Sequence, residues 1–205
     1  MIVPDIEEAL KNEGYQPICG VDEAGRGPLA GDVFAAAVIL PDGYIPEGLN
    51  DSKKLSAKKR DKLYDDITNN AVSYAIAKAS VDEIEKLNIL EASLLAMRRA
   101  ISALSQKPAL ALIDGNISRD FDIPAKAIIG GDALCPSIAA ASILAKVARD
   151  RYCLEMDALY PMYGFADHKG YGTVKHSKAI IEYGPCPLHR SLFIRKIIGG
   201  KECYE

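Results

Sequence analysis

The stretch Pro17-Ile18-Cys19-Gly20-Val21-Asp22-Glu23-Ala24-Gly25-Arg26-Gly27-Pro28 decides how the chain is read. A short apolar run, residues 17–21, stops at two adjacent acids, and glycines follow at once. A second apolar run, residues 33–40, comes after this glycine-rich turn, so the two read as neighbouring strands. Adjacent carboxylates at the end of a buried strand cost desolvation unless a cation or hydrogen-bond donors meet them.

The same pattern recurs downstream. Residues 109–113 form a short continuous apolar run that fits a buried strand and ends in Asp114. Residues 124–129 form another, with Asp132 just beyond it and just before a long helix from 136 to about 160. That helix carries Ile138, Ala141, Leu144, Ala145 and Ala148, small enough to let it approach a sheet closely. Neighbouring strand ends lie only about 5 Å apart, so acids gathered there repel one another. The arrangement becomes favourable when hard divalent ions sit among them, because Mg²⁺ takes oxygen ligands and keeps waters that can be activated. Each site also has a plainer reading. Asp114-Gly115 on its own reads first as a turn, and Asp132 as a helix-entry residue favoured by the macrodipole.

The remaining elements follow from capping and periodicity. Ser56 caps a charged helix to about residue 69, and the alternation Val72, Tyr74, Ile76 predicts a strand ending near Ala79. A capping box at Ser80 and Glu83 opens a helical stretch with Ile84, Leu87, Leu90, Leu94, Leu95 and Ile101 at helical spacing, broken near Asn88. The tail is rich in Gly, Pro and aromatics, with a helix over about 174–183. A hairpin-like start with later helix-linked strands gives an α/β fold, a mixed sheet with helices packed on it.

With 205 residues, one domain is expected. A composition 49% hydrophobic and 26% charged excludes disorder, collagen and coiled coil. No apolar run is long enough to span a membrane and no secretory signal opens the chain, so a cytoplasmic protein is expected. Cys19, Cys135, Cys153, Cys186 and Cys203 are odd in number and scattered, which predicts reduced thiols. Cys186-Pro187-Leu188-His189 lacks a second ligand pair for zinc, and no serine or cysteine pairs convincingly with a histidine. Neither G-x-G-x-x-G nor a P-loop occurs. The net charge of −3 leaves polyanion contact to local patches. One patch holds Lys53, Lys54, Lys58, Lys59, Arg60 and Lys62; the other runs from His168 through Lys169, Lys175, Lys178, Arg190, Arg195, Lys196 and Lys201. Both read equally as solvated faces. Glycines flanking Arg26 let the main chain approach a ligand while the guanidinium offers a fork to phosphate, with a structural turn as the plainer alternative. His168-Lys169-Gly170-Tyr171-Gly172 joins cations to an aromatic in a flexed loop, as expected where a ring stacks beside a phosphate.

Taken in order, these residues resemble bacterial ribonuclease HII. The likeness is carried by Asp22-Glu23-Ala24-Gly25-Arg26-Gly27-Pro28-Leu29-Ala30-Gly31, Asn50-Asp51-Ser52-Lys53-Lys54-Leu55 and Ile113-Asp114-Gly115-Asn116. Residues 137–147, His168-Lys169-Gly170-Tyr171 and Tyr183-Gly184-Pro185-Cys186-Pro187 continue it, from about residue 20 to 190. The resemblance implies a ribonuclease H-like fold: a mixed five-stranded sheet, flanking helices and a helical C-terminal part. Residues 16–205 would form the catalytic domain, after a short extension at 1–15. The implied activity is metal-dependent endonucleolytic hydrolysis of RNA in RNA–DNA hybrids. Incision 5′ of single ribonucleotides embedded in duplex DNA is also implied, leaving 3′-hydroxyl and 5′-phosphate ends. By the same resemblance Asp22, Glu23, Asp114 and Asp132 would hold two Mg²⁺ or Mn²⁺ ions. Gly25, Arg26 and Gly27 would sense the 2′-hydroxyl, and Tyr171 would stack on the sugar beside the junction. Ser52, Lys53, Lys54, Lys146 and Lys169 are the candidate phosphate contacts. A monomer is expected; a replication clamp would be a further partner, but no C-terminal clamp-binding signal stands out. The chain departs from the family in having Gly130-Gly131-Asp132 where Lys-Gly-Asp is frequent, so a cation near the fourth carboxylate is expected to be missing. A noncatalytic hybrid-binding module and a small-molecule phosphatase are the competing readings. The intact acid set argues against the first, the two basic patches against the second.

Overall fold

The computed structural model describes residues 5–199. Lys201 and Cys203, included in the sequence expectations, lie outside the described residues, as does any clamp-binding signal at 200–205. The sheet has five strands: β1 (Ile18–Ala24), β2 (Val33–Ile39), β3 (Ser73–Ala79), β4 (Leu110–Asp114) and β5 (Ala125–Ile128). Their order is β3-β2-β1-β4-β5. β1 pairs antiparallel with β2, and β2 with β3, whereas β1 with β4 and β4 with β5 are parallel. The sheet is therefore mixed, as expected, and β1 is the seam between its two halves.

Helices cover both faces. On one face lie α2 (Ala57–Asn70) and α5 (Pro136–Leu159); on the other lie α3 (Val81–Leu87) and α4 (Ile89–Ser102). β2 shows why this is possible. Ala35, Ala36 and Ala37 are all fully buried, Ala35 and Ala37 against the α4 side and Ala36 against the α5 side. A run of small residues lets both helices lie close to the sheet at once. Gly20 does the same on β1: a Cβ there would lie 2.1 Å from the Ser137 carbonyl carbon, so the start of α5 rests directly on the strand backbone.

The capping box at Ser80 and Glu83 is present in both directions. Asn88, at φ +72°, ends α3 and caps α4 by accepting from the amides of Leu90 and Glu91. β3 reverses the expected alternation: Val72 and Tyr74 are exposed, while Ser73 and Ala79 are buried. It is one of the two edge strands, and its small residues Ala75 and Ala77 face the α4 side. Residues 1–15, expected as a short extension, contain α1 (Asp5–Asn12), whose Leu10 joins Ile18, Leu110, Leu112 and Ile138 in a core of its own. The tail builds α6 (Phe165–His168), α7 (Val174–Tyr183) and α8 (Ser191–Ile194) around Tyr163, Phe165, Ile180 and Ile194, packed on Cys153 and Met156 of α5. No helix of the described residues is long and apolar enough to cross a membrane.

Candidate active site

β1 and β4 run parallel, with Val21 opposite Ile113, so Asp22 and Asp114 leave this register on adjacent strands. β1 does not end at the acids as its sequence suggests. It continues to Ala24, because pairing with β2 carries on through Glu23 opposite Ala35 and Ala24 opposite Phe34. Asp132 comes from a 3₁₀ turn, Gly131–Ala133, rather than from a strand end. The Gly131 amide donates to Asp114 Oδ1 at 2.7 Å and ties that turn to β4. A Cβ at Gly131 would meet Ile138 Cδ1 at 2.5 Å, so a larger residue there would require the Ile138 side chain to move.

The electrostatics show how tightly the four acids are grouped. Burial first, then the charges of Glu23, Asp114 and Asp132, raise the Asp22 pKa well above the ordinary carboxylate value. Its Oδ1 accepts from the Glu23 amide at 2.6 Å, a bond that opposes the shift. Glu23 is raised by burial, with Arg26 opposing from 3.4 Å. Asp114 is raised by burial and by Asp132, against the amides of Gly131 and Asp132. Lys53, whose burial works against its charge, is nonetheless raised by Asp132, Asp51 and Asp22.

Lys53 corrects one expectation. Gly130 was expected to leave Asp132 without a cation, yet Lys53 Nζ lies 3.5 Å from Asp132 Oδ2. The lysine is delivered by the 3₁₀ turn Ser52–Lys54, capped by Asp51, which accepts from the Lys53 amide at 2.9 Å. Gly130 itself has φ +65°, a left-handed backbone that a lysine would adopt only at a cost.

Asp22, Glu23, Gly25, Arg26, Gly27, Ser52, Lys53, Asp114, Lys146 and Tyr171 line one cleft of about 210 Å³. Lys54, Lys169 and Asp132 lie outside its lining. Asp132 is joined to it through Lys53 and Asp114. The candidate phosphate contacts are unequally free: Lys146 pairs with Asp150 at 2.6 Å, Lys169 Nζ donates to Ala166 O at 2.6 Å, and Lys54 lies 3.9 Å from Asp51. Ser52 is buried and accepts from the Ser142 hydroxyl at 2.7 Å.

The glycine loop is held from beneath by residues assigned to other roles. Arg190 and Arg60 belong to the two basic patches that read equally as polyanion contacts or solvated faces. Arg190 is fully buried and donates to the carbonyls of Gly25, Arg26, Pro28 and Gly31 at 2.7–3.0 Å. Arg60 donates to the carbonyls of Ser52 and Leu55. In both cases a turn with outlying carbonyls needs donors, and a guanidinium offers five in a fixed fork. Arg149, also buried, donates to Ala30 O and Lys169 O, and its Nε is the one buried side-chain polar atom without a partner among the described residues. A Cβ at Gly25, where φ is +105°, would lie 2.1 Å from that nitrogen, so only glycine fits. The carbonyls of Gly25, Arg26, Pro28 and Gly31 are committed to Arg190, while the amides of Arg26 and Gly27 donate to no group among the described residues.

The three histidines gather behind Tyr171. Cys186 Sγ lies 3.2 Å from His189 Nδ1, bringing together the two residues that the sequence offers only as an incomplete zinc pair. Burial raises this thiol, as it does Cys153, and pushes Cys19 and Cys135 up to about 12, so these four are poor nucleophiles.

The donor set suits a hard divalent ion: four carboxylates, two of them buried, whose mutual repulsion an added cation would relieve. They do not close into a finished coordination sphere, and among the described residues no group of three or more His, Cys, Asp or Glu side chains meets the geometry of a ready metal site.

Comparison with known proteins agrees with this geometry. The family model for ribonuclease HII matches residues 19–196. The ribonuclease HII of Albidiferax ferrireducens is 60% identical over 176 residues, covering 86% of this chain and 85% of that protein. That of Caldicellulosiruptor saccharolyticus is 52% identical over 194 residues, 95% of each. The crystal structure of ribonuclease H2 from Pyrococcus horikoshii superposes with a TM-score of 0.73 at 26% identity, covering 89% of this chain and 97% of that one. With a family match over nearly all of the sheet and the C-terminal helices, this chain belongs to the ribonuclease HII family and is an endonuclease of the ribonuclease H type.

Proposed function

We propose that the chain hydrolyses the RNA strand of RNA–DNA hybrids and incises duplex DNA on the 5′ side of a single embedded ribonucleotide, leaving 3′-hydroxyl and 5′-phosphate ends. The observation that carries this reading is one cleft in which the carboxylates of Asp22, Glu23 and Asp114 meet a glycine loop with uncommitted amides. Asp22, Glu23, Asp114 and Asp132 would hold two divalent ions, Mg²⁺ or Mn²⁺. Such ions, when bound, lower the pKa of a water and stabilise charge on the leaving oxygen. No histidine or serine nucleophile is then needed.

The protein's own groups supply recognition. RNA differs from DNA at the 2′-hydroxyl, a donor and acceptor that the amides of Arg26 and Gly27 can reach. Tyr171 keeps its ring about half exposed beside Gly27, where even a Cβ would lie 3.5 Å from the ring, so a sugar can stack there. Lys53 is the candidate phosphate contact with the most exposed side chain, 80%. Lys146 and Lys169 would first have to leave Asp150 and the Ala166 carbonyl. Phosphate contacts of this kind give affinity without sequence choice.

The test is a DNA duplex carrying one ribonucleotide, incubated with Mg²⁺, with EDTA, or with the Asp22→Asn variant. Cleavage 5′ of the ribonucleotide is expected only for the unaltered protein with metal. Incision that persists under both chelation and substitution overturns the metal reading, and binding without incision in Mg²⁺ favours a noncatalytic hybrid-binding module.

A further inference from the structure

His168, His176 and His189 are bonded so that each imidazole tautomer is fixed by its neighbours. His176 Nδ1 lies 2.9 Å from Tyr171 O. A carbonyl only accepts, so that nitrogen carries the proton and His176 Nε2 is an acceptor. His176 Nε2 lies 3.0 Å from His189 Nε2, which must therefore donate. This leaves His189 Nδ1 as the acceptor for the Cys186 amide at 2.9 Å, as observed. The result is a chain in one direction: Cys186 N–H to His189, His189 to His176, His176 to Tyr171 O. His168 follows the same logic, donating from Nε2 to Tyr163 O at 2.8 Å and accepting from the Gly170 amide at Nδ1.

We propose that His189 and His176 are positioning residues, a one-way hydrogen-bonded chain that fixes the Tyr171 backbone so that its ring meets the sugar at the cleavage junction. The proposal rests on the role given to Tyr171 above. The carbonyls of residues 169–171 are all engaged. Lys169 O accepts from Arg149, Gly170 O from the Leu29 amide at 2.8 Å, and Tyr171 O from both His176 and the Thr173 amide at 2.8 Å. The Thr173 amide alone would satisfy Tyr171 O. The second donor occupies the other lone pair and sets the plane of the peptide from which the ring projects. His176 and His189 are buried to within 1% of complete, where an apolar side chain would fill the same space without desolvating two polar rings.

The experiment compares cleavage of a single-ribonucleotide duplex with cleavage of a long hybrid, for Tyr171→Ala, His176→Gln and His176→Asn. Asn places its amide near the Nδ1 position and keeps the donor to Tyr171 O; Gln places it near Nε2 and loses that donor. His176→Gln is expected to lower the single-ribonucleotide rate relative to the hybrid rate by about tenfold, as a misplaced contact group does. His176→Asn is expected to restore the ratio to near that of the unaltered protein. Equal ratios for Gln and the unaltered protein, beside a fall for Tyr171→Ala, overturn the positioning role. So does a loss in Asn equal to that in Gln. An unchanged ratio for Tyr171→Ala overturns instead the reading of Tyr171. Nitrogen-15 spectra of the unaltered protein supply a readout independent of folding in the variants: Nδ1–H for His176 and Nε2–H for His189 are expected, and the opposite tautomers overturn the chain.

Discussion

Asp22, on the central strand, sits where a carboxylate is least at ease, buried to 6% exposure beside Glu23, Asp114 and Asp132. Removing its charge should stabilise the protein in EDTA even as it abolishes cleavage. Asp22→Asn keeps an oxygen for the Glu23 amide, so a gain of about 1–2 kcal/mol is expected, seen as a rise in Tm of roughly 2–4 °C per kcal/mol. Thermal melts in EDTA check this; an unchanged or lowered Tm would show that repulsion is already fully offset by Lys53 and Arg26. The carboxylates were legible one by one, because acids directly after apolar runs are anomalous. Their partners were not. Lys53 lies 79 residues from Asp132, and nothing in a run of lysines says which one turns inward. Arg149 and Arg190 were hidden for the opposite reason, since hydropathy places arginine outside. The one available signal was a glycine loop whose carbonyls had no evident donors.

Among the elements, α5 connects the most features and its start is unusual. Cys135 at its N-cap makes no side-chain bond. The missing acceptor comes from α1 instead, where Glu7 Oε1 accepts from the Ser137 amide at 2.9 Å and its hydroxyl at 2.7 Å. A buried carboxylate at a helix N-terminus is favoured by the dipole and by the unpaired amides there. Glu7→Ala should cost about 1–2 kcal/mol, and Glu7→Gln less. Urea unfolding measures both, and an Ala variant matching the unaltered protein would mean the cap adds nothing. α5 itself, the five strands and the break at Asn88 were readable because periodicity, proline and capping residues mark them. α1, α6 and α8 were not: one lies in a polar leader, and the other two are a single turn each, too short for periodicity.

Across the whole molecule, the histidine cluster links stability to pH. Burial pushes His176 and His189 down to about 4, from an ordinary 6.5. The unfolded chain then binds more protons than the folded one between these values, so stability is full above about pH 6.5 and is lost as pH falls toward 4. The acid cluster slopes the other way, because raised carboxylates lose stability as pH rises. The Asp22→Asn background removes the carboxylate raised well above its ordinary value, leaving Glu23 and Asp114, whose slope opposes that of the histidines. Between pH 7 and pH 5 a loss on the order of 2–4 kcal/mol is expected in denaturant titrations; a flat profile would mean the rings accept protons in place. That the histidines fall in the last forty residues was visible in the sequence, but their meeting required the turns of the tail, where glycine and proline leave no period to follow.

The bond from Arg190 to the Gly25 carbonyl spans 165 residues. A ribosome therefore delivers all four acids long before it delivers the arginine that braces the loop beside them. The nascent polypeptide can gather its charges early, yet the surface that would feel for a ribose is completed only once residue 190 has emerged.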